Sequence, residues 1–123
     1  MTPIRKSILN LLQKEEKPLS AAQVYRNTVG KADLATIYRG LQYLEKKAFL
    51  DSFVFACNCK RMERYYIVRS EAHKHYLHCS DCHNFFPIND CPLSDSIYSI
   101  EDKYHFKVNY HFLTFVGFCE NCR

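Results

Sequence analysis

Four cysteines in two Cys-x-x-Cys pairs offer the clearest chemistry in this sequence. Cys79 and Cys82 form the first pair, and Cys119 and Cys122 form the second. Each pair can bind one metal ion through two thiolates at about 2.3 Å, and four thiolates complete the tetrahedral coordination of a structural zinc. Four sulfurs leave no open position for a substrate, so we expect the Zn²⁺ to stabilise the fold rather than to catalyse a reaction.

Disulfides and a redox-active pair are the alternatives for these cysteines. Disulfides need an oxidising compartment, and a thioredoxin-like pair needs to begin a helix in a βαβ unit. The N-terminal segment is interrupted by Asn10 and Gln13, so it predicts neither a signal peptide nor a membrane span. We therefore expect a cytoplasmic protein with no membrane partner. Another pair, Cys57 and Cys59, is compatible with a second metal or redox element and equally with incidental exposed thiols.

Charge is distributed unevenly along the chain. The whole sequence has a formal charge of +4, but residues 1–69 contain 13 basic and 6 acidic residues, whereas residues 70–123 contain 4 and 7. The first part therefore has a charge of +7 and the second of −3. A basic surface of this kind favours a polyanionic partner, although a charged surface exposed only to solvent is the simpler alternative.

The basic part has the pattern of three helices followed by two strands. Thr2 and Pro3 predict the start of the first helix, Ser20 begins a capping box, and Asp33 precedes a third helix that extends to Lys47. The third helix has an apolar stripe, and its other face resembles the base-reading surface of a recognition helix. We predict DNA contacts from this face and from the basic start of the first helix: Thr36, Tyr38 and Arg39, with Arg5 and Lys6. Strands at Phe49–Phe55 and Arg64–Val68 would flank a basic turn, Lys60–Arg61, as in the wing of a winged helix.

The acidic part predicts short strands around the first cysteine pair, at Leu77 and at Phe85–Ile88, and a helix that begins at Pro92. A long alternating stretch, Phe106–Phe118, predicts a strand that is apolar on both faces. A strand apolar on both faces in a unit of about 50 residues is best explained by burial against a second copy of the chain. We therefore expect a homodimer.

Together these motifs resemble the Fur (ferric uptake regulator) family of bacterial metal-responsive regulators. The resemblance rests on these segments in order: Thr2-Pro3-Ile4-Arg5, Leu19-Ser20-Ala21, Leu34-Ala35-Thr36-Ile37-Tyr38-Arg39, a His-x-His before the first Cys-x-x-Cys, and the terminal Cys-x-x-Cys. It implies an α+β protein with a winged-helix DNA-binding domain over residues 1–69. Residues 70–123 would form a small α/β dimerisation and metal-binding domain with a structural zinc bound by the four cysteines. It also implies that Tyr38 and Arg39 contact DNA.

The resemblance does not extend to the family's principal regulatory metal site. Poor ligands occupy the positions that correspond to it: Tyr76, Lys74, Pro18, Ile67 and Pro87. A second family site is matched by His73, His75 and His111. The acidic fourth ligand of that site corresponds to Ser94, and Asp95, Cys91 or Asp90 could replace it from nearby.

These expectations together describe a metal-dependent repressor that binds operator DNA as a homodimer. Zinc is favoured as the signal because histidine with cysteine is a borderline-soft ligand set. Sensing of Fe²⁺, Mn²⁺ or peroxide stays open, and so does a regulator that has lost metal control. A zinc enzyme of the nucleic-acid deaminase type is disfavoured because His73-Lys74-His75 lacks the required glutamate. The remaining alternative is a zinc-stapled interaction module without specific DNA binding.

Overall fold

The computed structural model describes residues 1–28, 30–56, 62–70 and 74–123. It divides the chain into two units, Met1–Ser70 and Glu71–Arg123. The predicted basic turn Lys60–Arg61, the thiols of Cys57 and Cys59, and the predicted ligand His73 lie outside the described residues.

Three capped helices form most of the first unit. Thr2, Ser20 and Asp33 each accept a hydrogen bond through a side-chain oxygen from the backbone N–H three residues later, at 3.3, 3.2 and 2.8 Å. These bonds satisfy N–H groups that have no partner inside a helix, which is why the helices begin where they do. The helices are α1 (Pro3–Glu15), α2 (Ala21–Arg26) and α3 (Leu34–Lys46).

A three-stranded antiparallel sheet completes this unit, with β1 (Leu19–Ser20), β2 (Leu50–Phe55) and β3 (Glu63–Val68) in the order β1-β3-β2. Strands β2 and β3 pair along their whole length, from Leu50 beside Val68 to Phe55 beside Glu63. The helices pack on the sheet through a buried apolar core: Ile8, Leu12, Leu19, Ala21, Val24, Ile37, Leu41, Leu44, Leu50 and Tyr66. Three helices and a β-hairpin in this order form a winged helix, so the predicted fold is confirmed.

The second unit has a three-stranded mixed sheet and one helix. Its elements are β4 (His75–Cys79), β5 (Phe85–Ile88), α4 (Ser94–Tyr104) and β6 (Thr114–Gly117). The sheet order is β5-β4-β6, with β5 antiparallel and β6 parallel to the central β4. Helix α4 begins two residues after the predicted start at Pro92.

The predicted long strand at Phe106–Phe118 is wrong in its extent, because only Thr114–Gly117 is a strand. A strand needs a neighbour to pair its backbone groups. Strand β6 pairs with β4 from Tyr76 beside Thr114 to Cys79 beside Gly117, and β4 itself begins at His75. Among the described residues, the segment 106–113 therefore has no strand beside it.

Candidate metal centres and DNA-binding surface

Strands β4 and β6 bring the two cysteine pairs together. Cys79 is the last residue of β4, and Cys119 follows the end of β6 by two residues. Because β6 runs parallel to β4, both pairs lie at the same end of the sheet. The ligand atoms of Cys79, Cys82, Cys119 and Cys122 all lie within 4.8 Å of one another.

The geometry of this group fits zinc and does not fit disulfides. The sulfurs of Cys82 and Cys119 are 3.8 Å apart. Two sulfurs on one tetrahedral zinc, each at about 2.3 Å, lie about 3.8 Å apart, whereas a disulfide is about 2.05 Å long. All four cysteines are free thiols. The arrangement of these thiols therefore fits one structural zinc ion.

Hydrogen bonding around Cys79 favours its thiolate. Burial opposes ionisation of this thiol, but the backbone N–H groups of Cys119 and Cys82 donate to its sulfur, each at 3.4 Å. The result is a pKa of about 6 for Cys79. The hydrogen bond between Cys122 and Cys119 has the opposite effect and raises the pKa of Cys122. Four thiolates this close repel one another, so a cation is needed for all of them to ionise.

A second group of candidate ligands consists of His75, Cys91 and His111. The Nε2 atoms of His75 and His111 are 3.0 Å apart, and the Cys91 sulfur is 3.3 Å from Nε2 of His111. All three ligand atoms lie within 4.8 Å of one another. Ligands of a tetrahedral zinc at about 2.0–2.3 Å are roughly 3.3–3.8 Å apart, so movements of a few tenths of an ångström would accommodate the ion.

The three residues of this second group come from different parts of the unit. His75 begins β4 and is only 3% exposed, Cys91 lies between β5 and α4, and His111 precedes β6. Asp95 is an exposed residue in the first turn of α4 and does not belong to the group. Of the three alternatives for a further ligand, the structure therefore brings Cys91, and neither Asp95 nor Asp90, to the histidines.

The exposed face of α3 is the candidate DNA-binding surface. Tyr38 is 45% exposed, and Arg39 is also exposed. The Arg39 guanidinium donates to the hydroxyl of Thr36 at 3.1 Å, which orients it along the helix. Lys6 is exposed on α1, whereas Arg5 is half-buried, with its Cζ 3.7 Å from the ring centre of Tyr43.

Sequence patterns did not indicate a role for His78 in the second unit. His78 is buried on β4 next to Cys79, and its ring centre is 4.3 Å from that of Phe85. Burial lowers the pKa of His78, with a smaller contribution from His83. A neutral ring packed in this way supports the strand that ends at the thiol group. Its position beside the first cysteine pair was visible in the sequence, but its burial was not.

A winged helix followed by a small sheet with two groups of candidate metal ligands is the architecture of a metal-responsive DNA-binding protein. The model of the ferric uptake regulator family matches residues 1–116. The chain is 34% identical to the ferric uptake regulation protein of Bacillus subtilis (strain 168), in an alignment that covers 99% of this chain and 84% of the relative. The chain belongs to the ferric uptake regulator family.

Solved structures show the same fold. The ferric uptake regulator of Helicobacter pylori, reported to have three functional metal-binding sites, matches with a TM-score of 0.83 and 19% identity, over 99% of this chain and 81% of that one. The Vibrio cholerae ferric uptake regulator matches with a TM-score of 0.82 and 24% identity, over 97% and 91%. Members of the family are transcription regulators rather than enzymes. Among the residues that the structure describes, every helix falls short of the length and apolar character that a membrane span requires.

Proposed function

We propose that this protein is a metal-dependent transcriptional repressor that binds operator DNA as a homodimer and responds to zinc. The main support for this proposal is the second ligand group, which is separate from the four thiols and consists of His75, Cys91 and His111. The four thiols are closed to further ligands once they bind an ion, so they suit a permanent structural zinc. The second group has only three described ligands and suits an ion that binds and leaves as the signal.

The donor atoms support zinc as that signal. Two imidazole nitrogens and one thiolate form a borderline-soft set that suits Zn²⁺, whereas Mn²⁺ prefers carboxylate and water ligands. The exposed carboxylates of Asp90 and Asp95, which flank Cys91 in the sequence, are not in the group. Fe²⁺ and peroxide sensing are the second candidates within the same family, since imidazole also binds iron.

Operator binding is assigned to α3 and its neighbours. The capped N-terminus of α3 presents Thr36, Tyr38 and Arg39 on its exposed side. Arginine can donate two hydrogen bonds to guanine in the major groove, and the Thr36 hydroxyl holds the guanidinium in place. Arg5 and Lys6 would contact phosphates. These contacts would suit a pseudo-palindromic operator read by two copies.

The surface of the second unit supports the homodimer. Helix α4 has no buried side chain in the single chain. Large apolar side chains on α4 and in the segments after it are exposed: Tyr98, Ile100, Tyr104, Phe106, Tyr110, Phe112, Phe115, Val116 and Phe118. Beside β6 lies an apolar groove of about 370 Å³, lined partly by Phe86 and Phe115. Apolar surface this extensive is typical of an interaction site, and a second copy could also place a strand beside the segment 106–113.

The mechanism that we infer is allosteric. Zinc at the second group would favour the arrangement of the dimer that binds operator, so zinc and operator would strengthen each other's binding by the same factor. The free thiols of the described residues need a reducing compartment, which supports the cytoplasm.

In the deciding experiment, duplexes that bind the zinc-loaded protein are selected from a random-sequence library. The affinity of the protein for the selected duplex is then measured with zinc added and with zinc removed. We expect tighter binding with zinc by about 5- to 150-fold, the range of typical allosteric coupling. Equal binding with and without a chelator that removes only the second ion would refute metal control. Failure to enrich any sequence would instead favour an interaction module. Sedimentation of the zinc-loaded protein tests the dimer, and a monomer at all concentrations would refute it.

A further inference from the structure

Tyr43 lies on the same side of α3 as Thr36, but its contacts differ from those of a base-reading residue. Its ring is partly buried and packs against the core of the first unit. The guanidinium carbon of Arg5 lies 3.7 Å from the centre of this ring, and the Lys47 ammonium lies 5.9 Å from the same centre. Tyr43 is thus in contact with a cation of α1 and close to one at the end of α3.

The crossing of α1 and α3 explains how Arg5 reaches this ring. Gly40 is buried at the crossing, and a Cβ atom there would lie 2.7 Å from Cδ1 of Ile8 and 4.0 Å from Cγ of Arg5. Without a side chain at this position, α1 approaches α3 closely, and the aliphatic part of Arg5 passes over Gly40 toward Tyr43. Sequence and packing therefore place this arginine along the flank of the candidate recognition helix.

A stacked guanidinium keeps its hydrogen-bonding capacity. The ring contacts one face of the Arg5 plane, and the N–H groups at its edge stay available for a phosphate, which arginine can bind through two of them. Among the described residues, no carboxylate forms an ion pair with Arg5; the one ion pair there is between Arg69 and Asp51. A phosphate would therefore not have to displace a carboxylate of the described residues from Arg5.

We propose that Tyr43 is a positioning residue for DNA binding: it holds Arg5 against the flank of α3, where Arg5 and Lys47 bind backbone phosphates. This inference rests on the proposed DNA-binding function and assigns Tyr43 a role through Arg5 rather than through a base. Prior stacking reduces the side-chain freedom that Arg5 loses on binding, which is how an aromatic contact can raise affinity without touching DNA.

The test compares Tyr43→Leu, Tyr43→Phe, Arg5→Ala and Arg5→Ala/Tyr43→Leu on two probes: the duplex selected by the wild type and a scrambled duplex of the same composition. Affinity is measured over a range of salt concentrations. Arg5→Ala should lower affinity for both duplexes by the same factor and reduce the salt slope by about 1. Tyr43→Leu should lower both affinities by about 2- to 30-fold, the range of one cation–π contact, and by no more than Arg5→Ala.

Two results are specific to the proposed role. The double variant should bind as Arg5→Ala does, because Tyr43 has nothing left to position. Tyr43→Phe retains the ring and should restore most of the affinity lost in Tyr43→Leu. Lys14→Ala is the matched control: Lys14 is an exposed cation at the other end of α1, and its effect should add to that of Tyr43→Leu.

Additive losses in Arg5→Ala/Tyr43→Leu would overturn the proposal, because Tyr43 would then act independently of Arg5. A loss on the selected duplex alone in Tyr43→Phe would also overturn it, since the hydroxyl would then read a base. Thermal unfolding of each variant tests for a purely structural role. The proposal would be overturned if Tyr43→Leu lowered the melting temperature without changing the DNA affinity of the folded fraction. If no duplex is selected by the wild type, the repressor function fails, but the scrambled duplex still tests the phosphate contact.

Discussion

Replacing His111 with alanine should abolish metal control of operator binding and leave the structural zinc in place. His111 lies within 3.3 Å of both other members of the second group, so its loss removes one of three described ligands. Loss of a residue that only supports a ligand weakens metal binding by about 10- to 100-fold, so loss of a ligand itself should cost at least about 100-fold. At a zinc concentration about ten times the wild-type Kd, the variant would be less than about 10% occupied.

Metal content and operator affinity are the two measurements. The two ligand groups predict two zinc ions per wild-type chain, and one in His111→Ala. Anisotropy titration of the selected duplex should show the wild-type stimulation by zinc and none in the variant, because only the bias between two arrangements is lost. His105→Asn is the matched control, since His105 is exposed, belongs to neither group, and has a φ of 52° that asparagine tolerates.

Either of two outcomes would contradict this reasoning. A His111→Ala protein with the wild-type ratio of affinities in the presence and absence of zinc would show that control lies outside the second group. Loss of both zinc ions together with the fold of the second unit would show that this group is structural.

Three further tests concern the structural zinc, the base contact and a helix cap. Cys82→Ser should release the structural zinc and unfold or monomerise the second unit, because the free energy of metal binding contributes directly to folding in a unit this small. Full zinc content together with an intact dimer by sedimentation would contradict this prediction. In competition binding, Arg39→Ala should reduce the difference in binding free energy between the selected and scrambled duplexes by about 1–3 kcal/mol. Lys6→Ala should lower the affinity for both duplexes equally. Equal losses of affinity on both duplexes in Arg39→Ala would exclude a base contact. Hydrogen bonds from Thr36 lower the pKa of Asp33. The charged carboxylate of this N-cap therefore stabilises α3 fully at pH values above the ordinary aspartate pKa of about 3.9, and the stabilisation is lost as the pH falls through the lowered pKa. The difference in melting temperature between wild type and Asp33→Ala should therefore disappear in acid, and a constant difference would refute the charged cap.

Most of the first unit could be predicted because its signals are local. The caps Thr2, Ser20 and Asp33 each act within one helical turn, and the apolar stripe of α3 follows the helical period. The alternating stretch after Phe106 was predicted less well because a strand depends on a partner. Alternation shows which side chains could share a face, but the extent of β4 decides how many residues can pair.

The two metal groups differ in the same way. The four thiols could be predicted because each pair is a local motif whose spacing already suits one ion. The choice of Cys91 over Asp95 could not, because it depends on how the chain enters α4. The Ser94 hydroxyl donates to the Cys91 carbonyl at 3.2 Å as the helix begins, and this leaves Asp95 exposed in the first turn. The position of His111 likewise depends on where β6 starts.

Strand β4 connects the two metal groups, so we expect zinc binding at one group to be coupled to zinc binding at the other. His75 begins this strand and Cys79 ends it, so the groups are about 13 Å apart along one strand. The structural zinc would hold β6 beside β4, and His111 lies only three residues before β6. Loss of the structural zinc should therefore also weaken zinc binding at the second group, and loss of the second zinc should weaken binding at the four thiols by the same factor. Stepwise chelation followed by metal analysis would test this coupling: the second zinc should leave first while the dimer persists. Release of the structural zinc with the second group still fully loaded would refute the dependence.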